Sequence, residues 1–416
     1  MAHADQTGGA DDAALSRCVA CTAGVFAAEN WGRASRLTRA ADLARGFDDL
    51  FTAAAVDELV SERGLRTPFL RMARDGDVLA PATFTRGGGA GATIADQVAD
   101  DRVLAAIGEG ATLVLQALHR TWPPLVEFSS RLAAELGHPV QINAYVTPPQ
   151  NQGFAAHYDV HDVFVLQVSG RKQWVVHDPV VESPLANQPW DERREAVAMR
   201  ATEAPLLDTV LGPGDALYLP RGTIHAATSL GEISIHLTVG VHPLTRYDLV
   251  KHLLEAVQDD PALRASLPLG ADLGDPAVLA PQLAATLAAL QDRLAALAAA
   301  PTPAAARYVN TNLMQRTRPE AIGPLAQLAA AESVNPSTPV RLRPGLRLRH
   351  EQDADAVRLV LLDRTITLPV VTADAMKVVL SGDVFTPDAL PGLETNDEVT
   401  VCRRLMREGI LVPVTR

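Results

Sequence analysis

The stretch "HYDVHDVFVLQVSGRKQW", residues 157 to 174, decides how the rest of the chain is read. It sets a histidine and an aspartate one residue apart and carries a lysine farther on, inside a second strand-like run. In a β-strand, side chains two residues apart point the same way, so His157 and Asp159 are expected to share a face. By the same alternation Lys172, Trp174 and Val176 share the more apolar face of the following run, opposite Arg171, Gln173 and Val175. A lysine on that face is buried or nearly so, and a buried ammonium needs an anionic partner. The run offers no acidic neighbour, which makes a bound carboxylate a candidate partner. The other reading is a lysine at a hairpin edge that extends its stem back to water.

Around this stretch, residues 139 to 243 consist of short β-branched or alternating runs separated by turn residues: VQINAYV, DVFVLQV, RKQWVV, TVLGPG, DALYLP and ISIHLTVGV. Many short strands at close spacing predict an all-β barrel or a two-sheet jelly roll. The later segment "GPGDALYLPRGTIHAATS", 212 to 229, offers a turn at Pro213-Gly214, a strand, a second turn at Arg221-Gly222 and then His225. In a jelly roll such a late hairpin lies against the early one, and His225 can reach the point that His157 and Asp159 face. Two imidazoles and one carboxylate leave half of a metal's coordination sphere open, the arrangement of non-haem Fe(II) oxygenases. A closed set of four ligands would favour structural zinc. The remaining histidines of this region are read otherwise: His161 as a polar loop residue, His177 and His236 as edge or core residues.

Composition limits the alternatives. A chain of 416 residues exceeds the roughly 250 to 300 residues at which single cores stop growing, so two to four domains are expected. With 47% apolar and 21% charged residues it has the balance of a globular protein. A formal charge of −12 argues against nucleic-acid binding over the whole surface and leaves room for a local basic patch. The cysteines are Cys18, Cys21 and Cys402, too few for a disulfide framework, and the CVAC spacing at 18 to 21 has no second pair to complete a metal site. The first fifteen residues lack the basic start and apolar stretch of a signal peptide, and the Ala-rich run 283 to 300 is interrupted at Gln291, Asp292 and Arg293. These features predict a cytoplasmic protein with no membrane partner.

Residues 25 to 135 read as mixed helix and loop, with amphipathic patterns at 41 to 64 and 124 to 136 and a Gly-rich loop, RGGGAGAT, at 86 to 93. Residues 247 to 335 read as Ala- and Leu-rich helices, either a cap on the same chain or a dimerisation module. The tail opens with RLRPGLRLRH and continues as strands, two helices and a short final strand, a pattern that resembles a winged helix. Eleven basic residues there face eleven acidic ones, so a protein contact is expected ahead of a nucleic-acid contact.

Taken together, "INAYVTPPQNQGFAAHYDVHDVFVLQVSGRKQW" and "PGDALYLPRGTIHAATS" followed by "SIHLTVGV" resemble the JmjC-type 2-oxoglutarate oxygenases, and most closely their ribosomal oxygenase branch. The resemblance covers about residues 100 to 245. It implies an α+β chain: a mixed lead-in over 1–98, a double-stranded β-helix of the jelly-roll or cupin type over 99–245, a helical dimerisation region over 246–338 and a winged-helix-like domain over 339–416. It implies His157, Asp159 and His225 as Fe(II) ligands and catalytic centre, Lys172 as the partner of the C5 carboxylate of 2-oxoglutarate, and Asn143 and Tyr145 near the cosubstrate. It also implies O₂ as oxidant, a protein substrate with ribosomal proteins as candidates, and a homodimer. Two positions depart from the family pattern. Gly240 stands where relatives carry Ser, removing a hydroxyl from the cosubstrate's surroundings, and Lys172 is similar to the histidyl-hydroxylating relatives rather than the arginyl-hydroxylating ones. Two rival readings accompany this one: a metal-dependent cupin acting on a small molecule without 2-oxoglutarate, and a non-catalytic binding protein that uses its winged-helix end.

Overall fold

The computed structural model describes residues 13–414 except 75, 92, 150, 152–153 and 299–301. The chain divides into two units, one running through Pro243 with short additions at 319–326 and 343–345, the other holding the rest.

The first unit is a two-sheet β structure, as the run of short strands predicts. Its larger sheet has eight strands in the order Arg36–Thr38, Ala216–Leu219, Asp162–Ser169, Ser234–Val241, Val140–Thr147, Thr112–Leu115, Leu70–Arg74 and Asp77–Val78. The smaller sheet places Lys172–His177 between Leu207–Leu211 and Ile224–Ser229. All pairings within the two sheets are antiparallel.

Alternation along the central strands gives each face its task. Ile142, Ala144, Val146, Phe164, Leu166, Leu237 and Val239 join one core with helix residues Leu125, Phe128 and Leu132. Between them in sequence, Val163 and Val165 point the other way and pack with Trp174, Val176, Leu211 and Leu217, a cluster that spans the two sheets. Because Asp162–Ser169 is covered on both faces, it reads as a continuous apolar run instead of an alternating one.

The helix predicted over 124 to 136 forms as Pro123–Leu136, with Pro at its first turn and Gly137 closing it at φ 69°, a left-handed cap suited to glycine. From the amphipathic stretch 41 to 64 comes Ala53–Ser61, capped by the Thr52 hydroxyl, which accepts from the Ala55 N–H at 3.2 Å. The stretch read as a lead-in does more than precede the sheet: Arg36–Thr38, Leu70–Arg74 and Asp77–Val78 are strands of it. They are two to five residues long, too short for a period to show in sequence.

In the second unit the helices are Arg246–Val257, Pro276–Ala298, Thr302–Arg316 and, bordering the first unit in sequence, Pro324–Ser333. Arg246–Val257 starts with a capping box between Thr245 and Asp248. The tail forms a three-stranded meander, Arg349–Gln352, Ala356–Val360 and Thr365–Pro369, then helices Ala373–Val379 and Thr395–Arg407. Its last strand, Leu411–Pro413, returns to pair with Val340–Leu342. Val357, Leu359, Ile366, Met376, Leu405 and Ile410 build its separate core. Among the described residues no helix is long and apolar enough to cross a membrane.

Candidate metal centre

His157 and Asp159 precede the strand Asp162–Ser169 rather than lying in a strand, contrary to the expectation from sequence; only His157 makes a β-bridge, to His225. The alternation survives because Tyr158 between them is anchored on the opposite side. Its ring is 1% exposed, packs with Val197 and Ile224, and its hydroxyl donates to the Gln188 carbonyl at 2.9 Å.

The bridge brings the distant third residue into place. His157 and His225 exchange both main-chain hydrogen bonds, N–H to carbonyl at 3.1 and 2.8 Å, and their ring centroids lie 4.6 Å apart. The late turn is tied down in the same way: Gly222 N–H donates to the Asp159 carbonyl at 2.9 Å. Gly222 holds φ 89°, and a Cβ there would fall 2.5 Å from the Val181 carbonyl oxygen, so this turn requires glycine.

One ligand atom from each of His157, Asp159 and His225 lies within 4.8 Å of the other two. In both imidazoles Nδ1 faces a main-chain carbonyl two residues earlier, Ala155 at 2.8 Å for His157 and Thr223 at 3.0 Å for His225. Those carbonyls require Nδ1 to carry the proton, which leaves the Nε2 lone pair as the donor. In His225 that Nε2 lies 3.8 Å from the Asp159 carboxylate. The donor set therefore fits a divalent ion held by two nitrogens and one oxygen, with room for further ligands. Burial pulls the His225 imidazole down to about 4, assisted by the charge of His157. For Asp159 burial works upward, but the charges of His161, His157, His225 and Arg71 outweigh it and hold the carboxyl below its ordinary value.

The three residues line a cavity of about 350 Å³ together with Tyr145, Lys172, Trp174, His236 and Thr238. Lys172 is 3% exposed, and its Nζ donates to the Thr147 hydroxyl at 3.0 Å. Among the described residues no carboxylate lies within ion-pair distance of it, and burial pulls its ammonium down to about 7. Trp174 and Val176 are buried on the same face, and Arg171 is exposed on the other, as the alternation predicts.

Tyr145 lines the cavity and stacks on His236, centroids 5.0 Å apart and planes 6° from parallel. Asn143 shares its strand face and lies opposite Thr238, but its side-chain oxygen accepts from the Ala117 N–H at 3.0 Å. That bond spends the carbonyl end of the amide on the main chain, and Asn143 is not among the described residues that line the cavity.

Several cavity residues escape the sequence reading. His236, read as an edge or core histidine, is buried but faces the cavity, and its Nδ1 has no hydrogen-bond partner among the described residues. Arg71, Phe154 and Trp190 line it as well. Gly240 has a cause of its own: a Cβ there would lie 2.5 Å from the His161 ring, which stacks on His242 at 4.8 Å. The missing hydroxyl thus makes room for an imidazole. Cys18 is buried and its thiol is pushed up by burial, which suits a packing role.

Comparison with known proteins agrees with this architecture. Residues 124–249 match the family model of the JmjC domain. The bifunctional lysine-specific demethylase and histidyl-hydroxylase NO66 of Drosophila erecta is 39% identical over 137 residues, 31% of this chain and 20% of the relative. Its Drosophila sechellia counterpart is 41% identical over 139 residues, again 31% of this chain and 20% of the relative. The chain thus matches about a fifth of the length of these curated relatives. Among solved structures, the Escherichia coli ribosomal oxygenase YcfD superposes with a TM-score of 0.53 at 17% identity, over 95% of this chain and 98% of that one. The complex of YcfD with cobalt and 2-oxoglutarate gives a TM-score of 0.51 at 16% identity, over 94% and 98%. At that identity the likeness establishes the fold.

Proposed function

We propose that this chain, which carries a JmjC domain, is an Fe(II)- and 2-oxoglutarate-dependent oxygenase that hydroxylates a protein side chain. The observation that carries the reading is the pairing, in one cavity, of the three-residue donor cluster with a buried lysine that has no carboxylate partner among the described residues. In this reading His157, Asp159 and His225 hold the metal, and Lys172 takes the remote carboxylate of the cosubstrate. Tyr145 and Thr238 flank it, and Asn143 acts at one remove by fixing the backbone at Ala117.

Ferrous iron bound there, with 2-oxoglutarate and O₂, supplies oxidation of a C–H bond to an alcohol, with succinate and CO₂ as the other products. The protein orients and encloses the reactants. The carbonyls of Ala155 and Thr223 keep both imidazoles in the donor tautomer. Trp174, Val163 and Val165 give the cavity dry walls. The ammonium of Lys172, costly to bury alone, is neutralised by a diacid of the right length.

A protein target, with ribosomal proteins as candidates, follows from the names of the relatives, a histidyl-hydroxylase and a ribosomal oxygenase. The acidic chain is complementary to basic partners of that kind. For the helical region, 246–338 in the sequence reading, we propose dimerisation: Val250, Leu253 and Leu254 on one helix and Leu283 and Leu287 on another are exposed, a surface a second copy would cover. The winged-helix-like tail, 339–416, is proposed as a protein-contacting module, and the cytoplasm as the compartment, in keeping with three free cysteines.

The deciding experiment supplies Fe(II) and labelled 2-oxoglutarate and measures released CO₂ against oxygen incorporated into extracted ribosomal proteins by intact mass. Stoichiometric release with one added oxygen atom on a single protein is the expected result. An enzyme that binds iron yet never consumes 2-oxoglutarate would overturn the reading.

A further inference from the structure

Lys172 has a second cation as counterpart in the same cavity. Arg71 lies on the strand Leu70–Arg74, and cross-strand register sets it in a row with Val114, Tyr145 and His236. It is half-buried and lines the cavity beside Gly76, Val78 and Phe154. Its guanidinium carbon sits 5.6 Å from the centre of the Phe154 ring, within cation–π range. One side interacts with the Tyr145 hydroxyl. Its Nε is buried and has no hydrogen-bond partner, and no carboxylate forms an ion pair with Arg71, among the described residues.

The two cations attend different parts of the cavity. The charge of Lys172 bears on His236, whereas that of Arg71 bears on Asp159 and Tyr145. Val78, next to Arg71 along the wall, is 58% exposed, which places this wall at the rim. Arginine differs from lysine in presenting several donors in a rigid plane, which suits carbonyl and carboxylate oxygens approaching in that plane. Here the Phe154 ring lies against the group and holds it at the cavity wall, where its terminal donors can meet an entering oxygen.

We propose that Arg71 is a target-binding residue: its guanidinium grips a carbonyl or carboxylate oxygen of the polypeptide segment that enters the cavity, and so holds that segment beside the donor cluster. The proposal rests on the protein-hydroxylase reading above. It assigns the cosubstrate to Lys172 and the target to Arg71.

The test compares the wild-type chain with Arg71→Met, which keeps the stem and removes every donor, and with Arg71→Lys. Acid-extracted ribosomal proteins serve as the probe, and oxidised product is read by intact mass. In parallel, anaerobic binding of 2-oxoglutarate to the Fe(II)-loaded chain is titrated by the visible absorption of the chelate. In Arg71→Met the half-saturating concentration of target should rise about 10- to 100-fold, the loss typical of a charge-assisted hydrogen bond, with the 2-oxoglutarate titration unmoved. Arg71→Lys should recover only part of the loss. Unchanged half-saturation in Arg71→Met overturns the proposal, and so does a weakened 2-oxoglutarate titration, which would assign Arg71 to the cosubstrate. A wild-type chain that binds 2-oxoglutarate but oxidises none of the probe proteins breaks the hydroxylase reading first, and this proposal with it.

Discussion

The donor cluster and the lysine lie in one cavity but are built on opposite terms. Around His157, Asp159 and His225 the backbone answers each need: carbonyls fix both tautomers, a two-way bridge aligns the histidines, and Gly222 ties the late turn to Asp159. Around Lys172 the protein supplies one hydroxyl and apolar walls. One region is finished by folding alone, and the other, on the function proposed above, is completed by a ligand. Preorganisation belongs where geometry must be met, and an unpaired charge belongs where a charged guest is selected.

The largest test of this contrast is Asp159→Ala. With Asp159 as a metal ligand in the proposed reading, its loss should lower succinate formation by at least about 100-fold, more than is usual for residues that merely support ligands, while the thermal unfolding temperature of the metal-free chain stays near that of the wild type. A variant that still forms succinate at the wild-type rate would remove Asp159 from the site.

Next in size is Lys172→Met. Half-saturating 2-oxoglutarate should rise about 10- to 100-fold with iron affinity retained, as measured by calorimetric titration of each. The same substitution tests the unfinished state of this end. The ammonium is held down to about 7, against 10.5 for the free side chain, so between those values the unfolded chain binds a proton that the folded chain does not. Stability of the ligand-free protein should therefore rise with pH across that window, and the cost of the buried charge is fully present below it. In Lys172→Met this slope should flatten. A ligand-free wild-type chain with no such slope in its unfolding temperature would show that the lysine already has a counter-charge.

A smaller effect is expected on the finished side. Asp162 is 0% exposed, and its carboxylate accepts from the Tyr218 hydroxyl and the Arg221 N–H, both at 3.1 Å, and from the Arg221 guanidinium at 3.4 Å. This joins the strand after Asp159 to the turn before His225. Arg221→Ala leaves that carboxylate without its charge partner and should cost about 3 kcal/mol in chemical denaturation, at the low end for a buried pair because Arg221 is partly exposed. Iron affinity should fall about tenfold as the two ligand segments loosen.

The smallest effect is expected at Gly240. Gly240→Ser must displace the His161 ring and should cost about 1–3 kcal/mol through overpacking, with 2-oxoglutarate affinity unaltered. Tighter cosubstrate binding in that variant would restore the reading in which a hydroxyl at this position serves the cosubstrate.

Much of the cluster was legible in the sequence because its signals are local. The His-x-Asp pair, the turns around His225 and the alternation that buries Lys172 are all short-range patterns. Residues brought in by register were illegible: Arg71 reaches Tyr145 only through two strand pairings and His236 through three, and no period within Leu70–Arg74 announces them. The cavity position of His236 was illegible for a related reason, since a histidine in an apolar strand looks the same whether its face meets a core or a cavity. Arg36–Thr38 was missed because it borrows its hydrogen bonds from Ala216–Leu219, far along the chain, which stabilises a segment too short to show a preference of its own.

The reciprocal main-chain pairing of His157 with His225 also ties the donor geometry to strand register. Slippage of the smaller sheet by a single position would turn His225 towards the far side and strand the other two donors. Uptake of a divalent ion would then discriminate between molecules that closed in register and those that did not, drawing the maturing population towards the correctly threaded form.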